Sequence, residues 1–216
     1  MPDGSGPIYY SRVRKEILPL LPAAAGRYLE IGCGAGATLA FIRDQGLCTW
    51  AGGVEYSPEA AALAAAKGFD FLRQGDVEGL ELGIEPASLD VILCLDVLEH
   101  LRDPWAVAAR LAGLLKPGGV MIASLPNIRH YKIVLPLIFA GRWDYQDAGI
   151  LDRTHLRFFV RNTAAALLRQ AGLEVEAIQP HGGLKPWKLK WLLNKLFLGA
   201  LTDLFAEQFL LRARRG

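Results

Sequence analysis

Residues 27 to 37, Arg-Tyr-Leu-Glu-Ile-Gly-Cys-Gly-Ala-Gly-Ala, constrain the fold more than any other stretch. An apolar strand runs straight into a turn with glycine at positions 32, 34 and 36, and then into a helix-forming segment. Glycine adopts positive φ without strain and offers a backbone free of Cβ atoms, so a nucleotide-type cofactor is the natural occupant of such a turn. Gly32, Gly34 and Ala37 also satisfy the looser dinucleotide pattern G-x-G-x-x-G/A. The turn alone therefore leaves the cofactor open between NAD and S-adenosylmethionine.

The alternation of strand and helix continues beyond the turn. Helices are predicted at 37–45, 58–67 and 104–115, and strands at 28–31, 49–54, 69–73, 89–95 and 120–124. Short apolar runs alternating with alanine-rich helices imply a parallel sheet with right-handed crossovers. A preceding helix is predicted over 9–21 from Val13, Ile17, Leu20 and Leu21. After Ser124 the rhythm breaks: residues 126–161 are rich in aromatics and arginines, show no clear period, and read as a functional irregular stretch. A helix at 163–171, a strand at 173–178 and a last strand at 207–214 come next, leaving 188–205 as a helical insertion. The expected organisation is one domain over 1–216, with 1–26 covering the cofactor and 126–161 and 184–205 covering the acceptor.

Charge and cysteine content narrow the class. Lysine plus arginine number 24 against 22 acidic residues, a balance that gives no electrostatic case for a nucleic-acid partner. Cys33, Cys48 and Cys94 form no C-x-x-C pair and read as buried free thiols of a cytoplasmic protein. The first residues have neither a basic leader nor an apolar core, and the longest uncharged runs, 133–141 and 196–202, fall short of the ~20 residues a spanning helix needs.

Four groups of candidate site residues sit after successive strands, where open α/β sheets bind ligands. Glu30, two residues before Gly32, can reach the charged end of a cofactor, a role NAD sites do not need. Glu55 lies 19 residues past Gly36, and its two oxygens match the vicinal diol of a ribose. In Gln74-Gly-Asp-Val-Glu78, Asp76 is placed to accept from an adenine amino group and Val77 to donate its backbone N–H. The apolar strand 89–95 then opens abruptly into Asp96, Glu99 and His100, which face the cleft.

The succession LEIGCGAG, VEYSPEA, QGDVE, LDVILCLDVLEHLRDP and LLKPGG, covering roughly 27–125, resembles the class I S-adenosylmethionine-dependent methyltransferases. The resemblance implies a Rossmann-like doubly wound sheet of seven strands, order 3-2-1-4-5-7-6, with the last strand antiparallel and helices on both faces. It implies S-adenosylmethionine as cofactor, S-adenosylhomocysteine as product, and Gly32, Gly34, Glu55, Asp76, Val77 and Asp96 lining the cofactor. Gly36, Tyr56 and Leu95 join that set, and an N-terminal aromatic, Tyr9 or Tyr10, closes over the methionine end. Leu125-Pro-Asn127, Gly141-Arg-Trp-Asp-Tyr and Leu151-Asp-Arg-Thr-His-Leu-Arg-Phe-Phe159 are similar to methyltransferases of sugar, polysaccharide and lipid biosynthesis, a group that also resembles the quinone O-methyltransferases.

Methyl transfer from a sulfonium asks mainly for alignment and exclusion of water, with a base only where the nucleophile holds a proton. His155 is the favoured acceptor-proximal base, oriented by Asp152, with His100 at the cleft edge as the second candidate. No metal is expected, because the four histidines look scattered in the sequence. The acceptor is expected to be a small molecule or a lipid-linked one, methylated on oxygen. An amino sugar or other amine, a non-catalytic cofactor-binding scaffold and an NAD-dependent oxidoreductase remain as alternatives, although no Tyr-x-x-x-Lys pair supports the last. Leucines and phenylalanines at 3-4 spacing over 188–205 read as a helix packed on the domain or in a homodimer, or as an interfacial helix at the inner face of a membrane.

Overall fold

The computed structural model describes residues 12–24, 26–183 and 189–216. Its strands are β1 (Gly26–Ile31), β2 (Cys48–Glu55), β3 (Phe71–Gln74), β4 (Leu89–Leu95), β5 (Leu115–Pro126), β6 (Leu173–His181) and β7 (Gln208–Arg215). They form one seven-stranded sheet of order 3-2-1-4-5-7-6. The pairs β1·β2, β1·β4, β2·β3 and β4·β5 are parallel, whereas β7 runs antiparallel to both β5 and β6. The helices are α1 (Ala37–Asp44), α2 (Pro58–Ala65), α3 (Pro104–Leu114), α4 (Tyr131–Ala140), α5 (Arg161–Gln170), α6 (Leu189–Leu196) and α7 (Thr202–Phe205).

The central strands are apolar on both faces because helices cover both. Tyr28 of β1 and Val91, Leu93 and Leu95 of β4 pack with Leu39 and Ile42 of α1. The alternate residues Leu29, Ile31, Ile92 and Cys94 pack on the other face with Val107 and Leu111 of α3 and Leu167 and Leu168 of α5. Local signals start the helices: the Ser57 side chain accepts from Ala60 N–H at α2 and Asp103 from Ala106 N–H at α3, each followed by proline at the first helical position. Cys33, Cys48 and Cys94 are buried and free.

Three expectations change. Of the helix over 9–21 the described part is a single 3₁₀ segment, Lys15–Leu20, with Pro19 inside it. Within 126–161 lies α4, which has no polar face to produce a period: Tyr-Lys-Ile-Val-Leu-Pro-Leu-Ile-Phe-Ala buries none of its residues. The stripe over 188–205 is not one helix, since Leu198 and Gly199 adopt φ of 51° and 85° and break it between α6 and α7.

Candidate active site

All cofactor candidates within the described residues fall along the carboxyl ends of β3, β2, β1 and β4. The glycine turn hangs on β2, with Gly32 and Cys33 N–H donating to Val54 C=O at 2.8 and 3.1 Å. Gly32, Gly34 and Gly36 take φ of 66°, 54° and 73°. A Cβ at Gly32 would stand 2.5 Å from the Val97 side chain, and one at Gly36 2.4 Å from the Phe69 ring. Two of the three glycines are thus required by the chain's own packing as well as by backbone conformation. At the third, Gly34 N–H donates to Glu55 Oε2 at 2.7 Å, while Ser57 N–H donates to Oε1 at 2.8 Å. Each Glu55 oxygen keeps a second lone pair for a hydroxyl.

Glu30 lies beneath the turn, buried, with Oε2 lacking any partner. Burial pushes its carboxyl up to about 8, against an opposing backbone hydrogen bond from Leu39 in α1. Asp76 is exposed and caps its own turn, accepting from Glu78 N–H at 2.9 Å, and Val77 is buried beside it. Tyr56 is exposed next to Glu55, Leu95 is buried at the end of β4, and Tyr10 lies outside the described residues.

Asp96, immediately after β4, has φ of 56°, a strained value for a residue with a side chain. An ion pair holds it there: the Arg14 guanidinium donates to Oδ2, and the Ser124 hydroxyl donates to Oδ1. The same guanidinium donates to Ser124 Oγ at 3.1 Å and to Gln208 Oε1 at 3.3 Å, tying the N-terminal segment to β5 and β7. Sequence reasoning missed Arg14, because nothing local marks a residue 82 positions from its partner.

Two of the four histidines, His100 and His155, come together in space, which corrects the sequence reading that found no ligand cluster. Leu156 and Arg157 N–H both donate to Glu99 C=O, at 2.8 and 2.9 Å, pinning the 150–157 loop onto the 3₁₀ turn Leu98–His100. The His100 and His155 rings then meet edge to face, centroids 4.7 Å apart. With the Glu99 carboxyl they offer three ligand atoms within 4.8 Å of one another, an arrangement that could hold a cation.

Hydrogen bonding decides the tautomers. His100 Nδ1 lies 3.2 Å from Thr154 C=O and His155 Nδ1 lies 3.0 Å from Ile150 C=O. A carbonyl only accepts, so both Nδ1 atoms carry a proton, and in the neutral form of each ring the lone pair sits on Nε2. Asp152 makes no hydrogen bond to the His155 ring and acts on it only as a nearby charge; its Oδ1 accepts from Thr154 N–H at 2.8 Å and Thr154 Oγ–H at 2.7 Å. That hydroxyl in turn accepts from His100 Nδ1 at 3.0 Å, so Asp152 acts on His100 through Thr154. Burial lowers the His100 pKa, and His155 lowers it further, against Thr154 and Asp152. Burial also raises the Glu99 carboxyl well above the usual carboxylate range, with Asp96 and Asp152 adding to the effect.

A family model described as a methyltransferase domain matches residues 8–178. The chain belongs to the methyltransferase family. It is 32% identical over 192 residues to the ubiquinone biosynthesis O-methyltransferase of Xylella fastidiosa strain 9a5c, covering 85% of this chain and 73% of the relative. The enzyme of the same name from Thiobacillus denitrificans is 27% identical over 161 residues, covering 73% and 68%. Two S-adenosylmethionine-dependent methyltransferases share the fold at 18% identity. That of Archaeoglobus fulgidus has a TM-score of 0.69, covering 98% of this chain and 95% of its own. That of Mesorhizobium loti has a TM-score of 0.65, covering 93% and 96%.

The chain is therefore an S-adenosylmethionine-dependent methyltransferase of class I. The described residues fit that cofactor: a positive-φ turn, the free lone pairs of Glu55, and the orphaned Glu30 oxygen all lie along one sheet edge.

Proposed function

We propose that the methyl group goes to a hydroxyl oxygen on a small acceptor of the quinone-precursor or lipid-linked type. The observation that carries this reading is the imidazole pair: two rings in contact, each with Nδ1 tied to a carbonyl, which leaves Nε2 as the atom that can accept a proton, past the end of β4. An amine acceptor would need no such base, whereas a hydroxyl must lose a proton as it attacks. The relatives are named for ubiquinone biosynthesis, which supports the quinone-type class for this chain.

When bound, the cofactor supplies the electrophilic methyl on a sulfonium. Glu55 would hold the ribose diol, Asp76 and Val77 the adenine edge, and Glu30 the region of the amino-acid end, with Gly32, Gly34, Gly36, Tyr56, Leu95 and Asp96 shaping the wall. His155, buried and nearest the inserted loop, accepts the hydroxyl proton at Nε2, and His100 orients it edge-on. Asp152, through Thr154, offsets the positive charge that develops on the pair. The segments 126–161 and 184–205 would close over the acceptor within one domain spanning 1–216.

The test is turnover on a panel of catechols and hydroquinones, with and without prenyl tails, for the parent, His155→Ala and His100→Ala. Each variant is expected to lose about 10²–10⁴ in kcat while binding S-adenosylhomocysteine normally. Undiminished turnover in His155→Ala would remove it as the base.

A further inference from the structure

We propose that α4 and the α6–α7 arm together form a docking surface for an anionic lipid bilayer. It deepens the lipid-soluble acceptor reading above, on which it rests only for its biological sense. The observation is where the exposed apolar side chains lie. In α4, Ile138 is 65% and Phe139 81% exposed; in and after α6, Leu196 is 75% and Leu198 96% exposed. Leu135, Leu137, Leu189 and Phe197 add to the same two segments. Exposed patches of this kind, concentrated rather than scattered, mark interaction surfaces.

Topology brings both segments to one rim. Pro126 of β5 and His181 of β6 both pair with Gln208 of β7, so α4, which follows β5, and α6, which follows β6, come after the same end of the two strands that flank β7. At the base of the two arms, the Asn127 amide donates to Asp203 and Ala206 carbonyls at 2.6 and 2.8 Å, and the Tyr131 ring meets the Phe205 ring at 5.8 Å. This is the rim that carries Asp96 and, just beyond it, the imidazole pair.

Charge selects the occupant. Residues 128–143 contain Arg129, Lys132 and Arg142 and no acid, α6 contains Lys190 and Lys195 and no acid, and the one acid of α7, Asp203, is taken up by Arg161. In a chain with near-equal acids and bases, these apolar stretches carry only positive charge, although Arg142 is paired with Asp144 just outside. A second copy related by a two-fold axis would set these cations against themselves. An anionic bilayer offers acyl chains to the leucines and phenylalanines and head groups to the lysines. No described helix is long and apolar enough to cross a membrane, so the contact is one of lying on the surface.

The experiment is flotation of the full chain with vesicles of phosphatidylcholine alone or of equimolar phosphatidylcholine and phosphatidylglycerol. The parent is expected to float with the anionic vesicles, and to be released about tenfold on raising salt from about 0.05 M to about 0.5 M. Phe139→Glu with Leu196→Glu is expected to stay in the dense fractions, at least tenfold down, with unchanged S-adenosylhomocysteine affinity and thermal midpoint as evidence of folding. Parent protein that stays dense with both vesicle types overturns the proposal. So does a parent dimer in sedimentation that the same substitutions dissociate without any flotation. Flotation is read with no acceptor present, so it stands or falls apart from the acceptor assignment.

Discussion

The buried carboxyl of Glu30 makes the sharpest thermodynamic prediction. In the folded chain burial holds its proton on to about pH 8, whereas the ordinary value is 4.5. Between those limits the folded state binds more protons than the unfolded one, so stability falls as pH rises from about 4.5 to about 8. Integrating the linkage between pH 5 and pH 8 gives a loss of about 3 kcal/mol from this one group. Glu30→Gln keeps a carbonyl to accept from Leu39 and places an N–H₂ where the protonated oxygen stood, so the variant should match the parent near pH 5. At pH 8 it should be more stable by about 3 kcal/mol, or roughly 1 M in urea midpoint at a slope near 3 kcal/mol/M. Glu99 imposes a pH dependence of the same sign, but it is present in both proteins and cancels in the difference. The assay is urea unfolding of cofactor-free protein at several pH values, followed by fluorescence and circular dichroism. A parent-to-variant difference flat to within about 0.5 kcal/mol from pH 5 to 8 would refute the buried, protonated Glu30.

Other outcomes rest on the same geometry. Asp152→Asn removes a charge that raises the His100 pKa, so the His100 ring is expected to titrate at lower pH by nuclear magnetic resonance; an unmoved midpoint would separate Asp152 from the imidazole pair. Gly36→Ala forces a Cβ into the left-handed region against the Phe69 ring, with an expected loss of about 1–3 kcal/mol in urea unfolding. Asn127→Ala leaves the Asp203 and Ala206 carbonyls and the Arg129 N–H without their partner in a buried site, an expected loss of about 2–4 kcal/mol by the same measurement. Arg14→Met frees Asp96 from its ion pair and is expected to weaken S-adenosylhomocysteine binding by about tenfold in calorimetry.

Much of the fold was legible because its signals are local. A strand buried on both faces is a continuous apolar run, a helix start is a serine or aspartate followed by proline, and a turn at positive φ is a glycine, as at 32, 34 and 36. Those letters marked the seven strands, and the family resemblance they carry implied the order in which the sheet joins them. The α4 helix escaped because the signal for a helix is a contrast between faces, and a helix apolar all round has none. The 188–205 stripe misled in the opposite sense: its spacing persists through Leu198 and Gly199, where the backbone does not.

The chemistry past β4 belongs to tertiary structure. Thr154 reaches His100 across 54 positions and Arg14 reaches Asp96 across 82, and no period or motif encodes either meeting. The sequence alone determined the row of strand ends on which the cofactor candidates stand, since each of its parts is a short strand followed by its own turn. Only the folded chain decided that two histidines meet with their Nδ1 atoms capped, because that depends on a distant loop being stapled to the Glu99 carbonyl by two backbone hydrogen bonds.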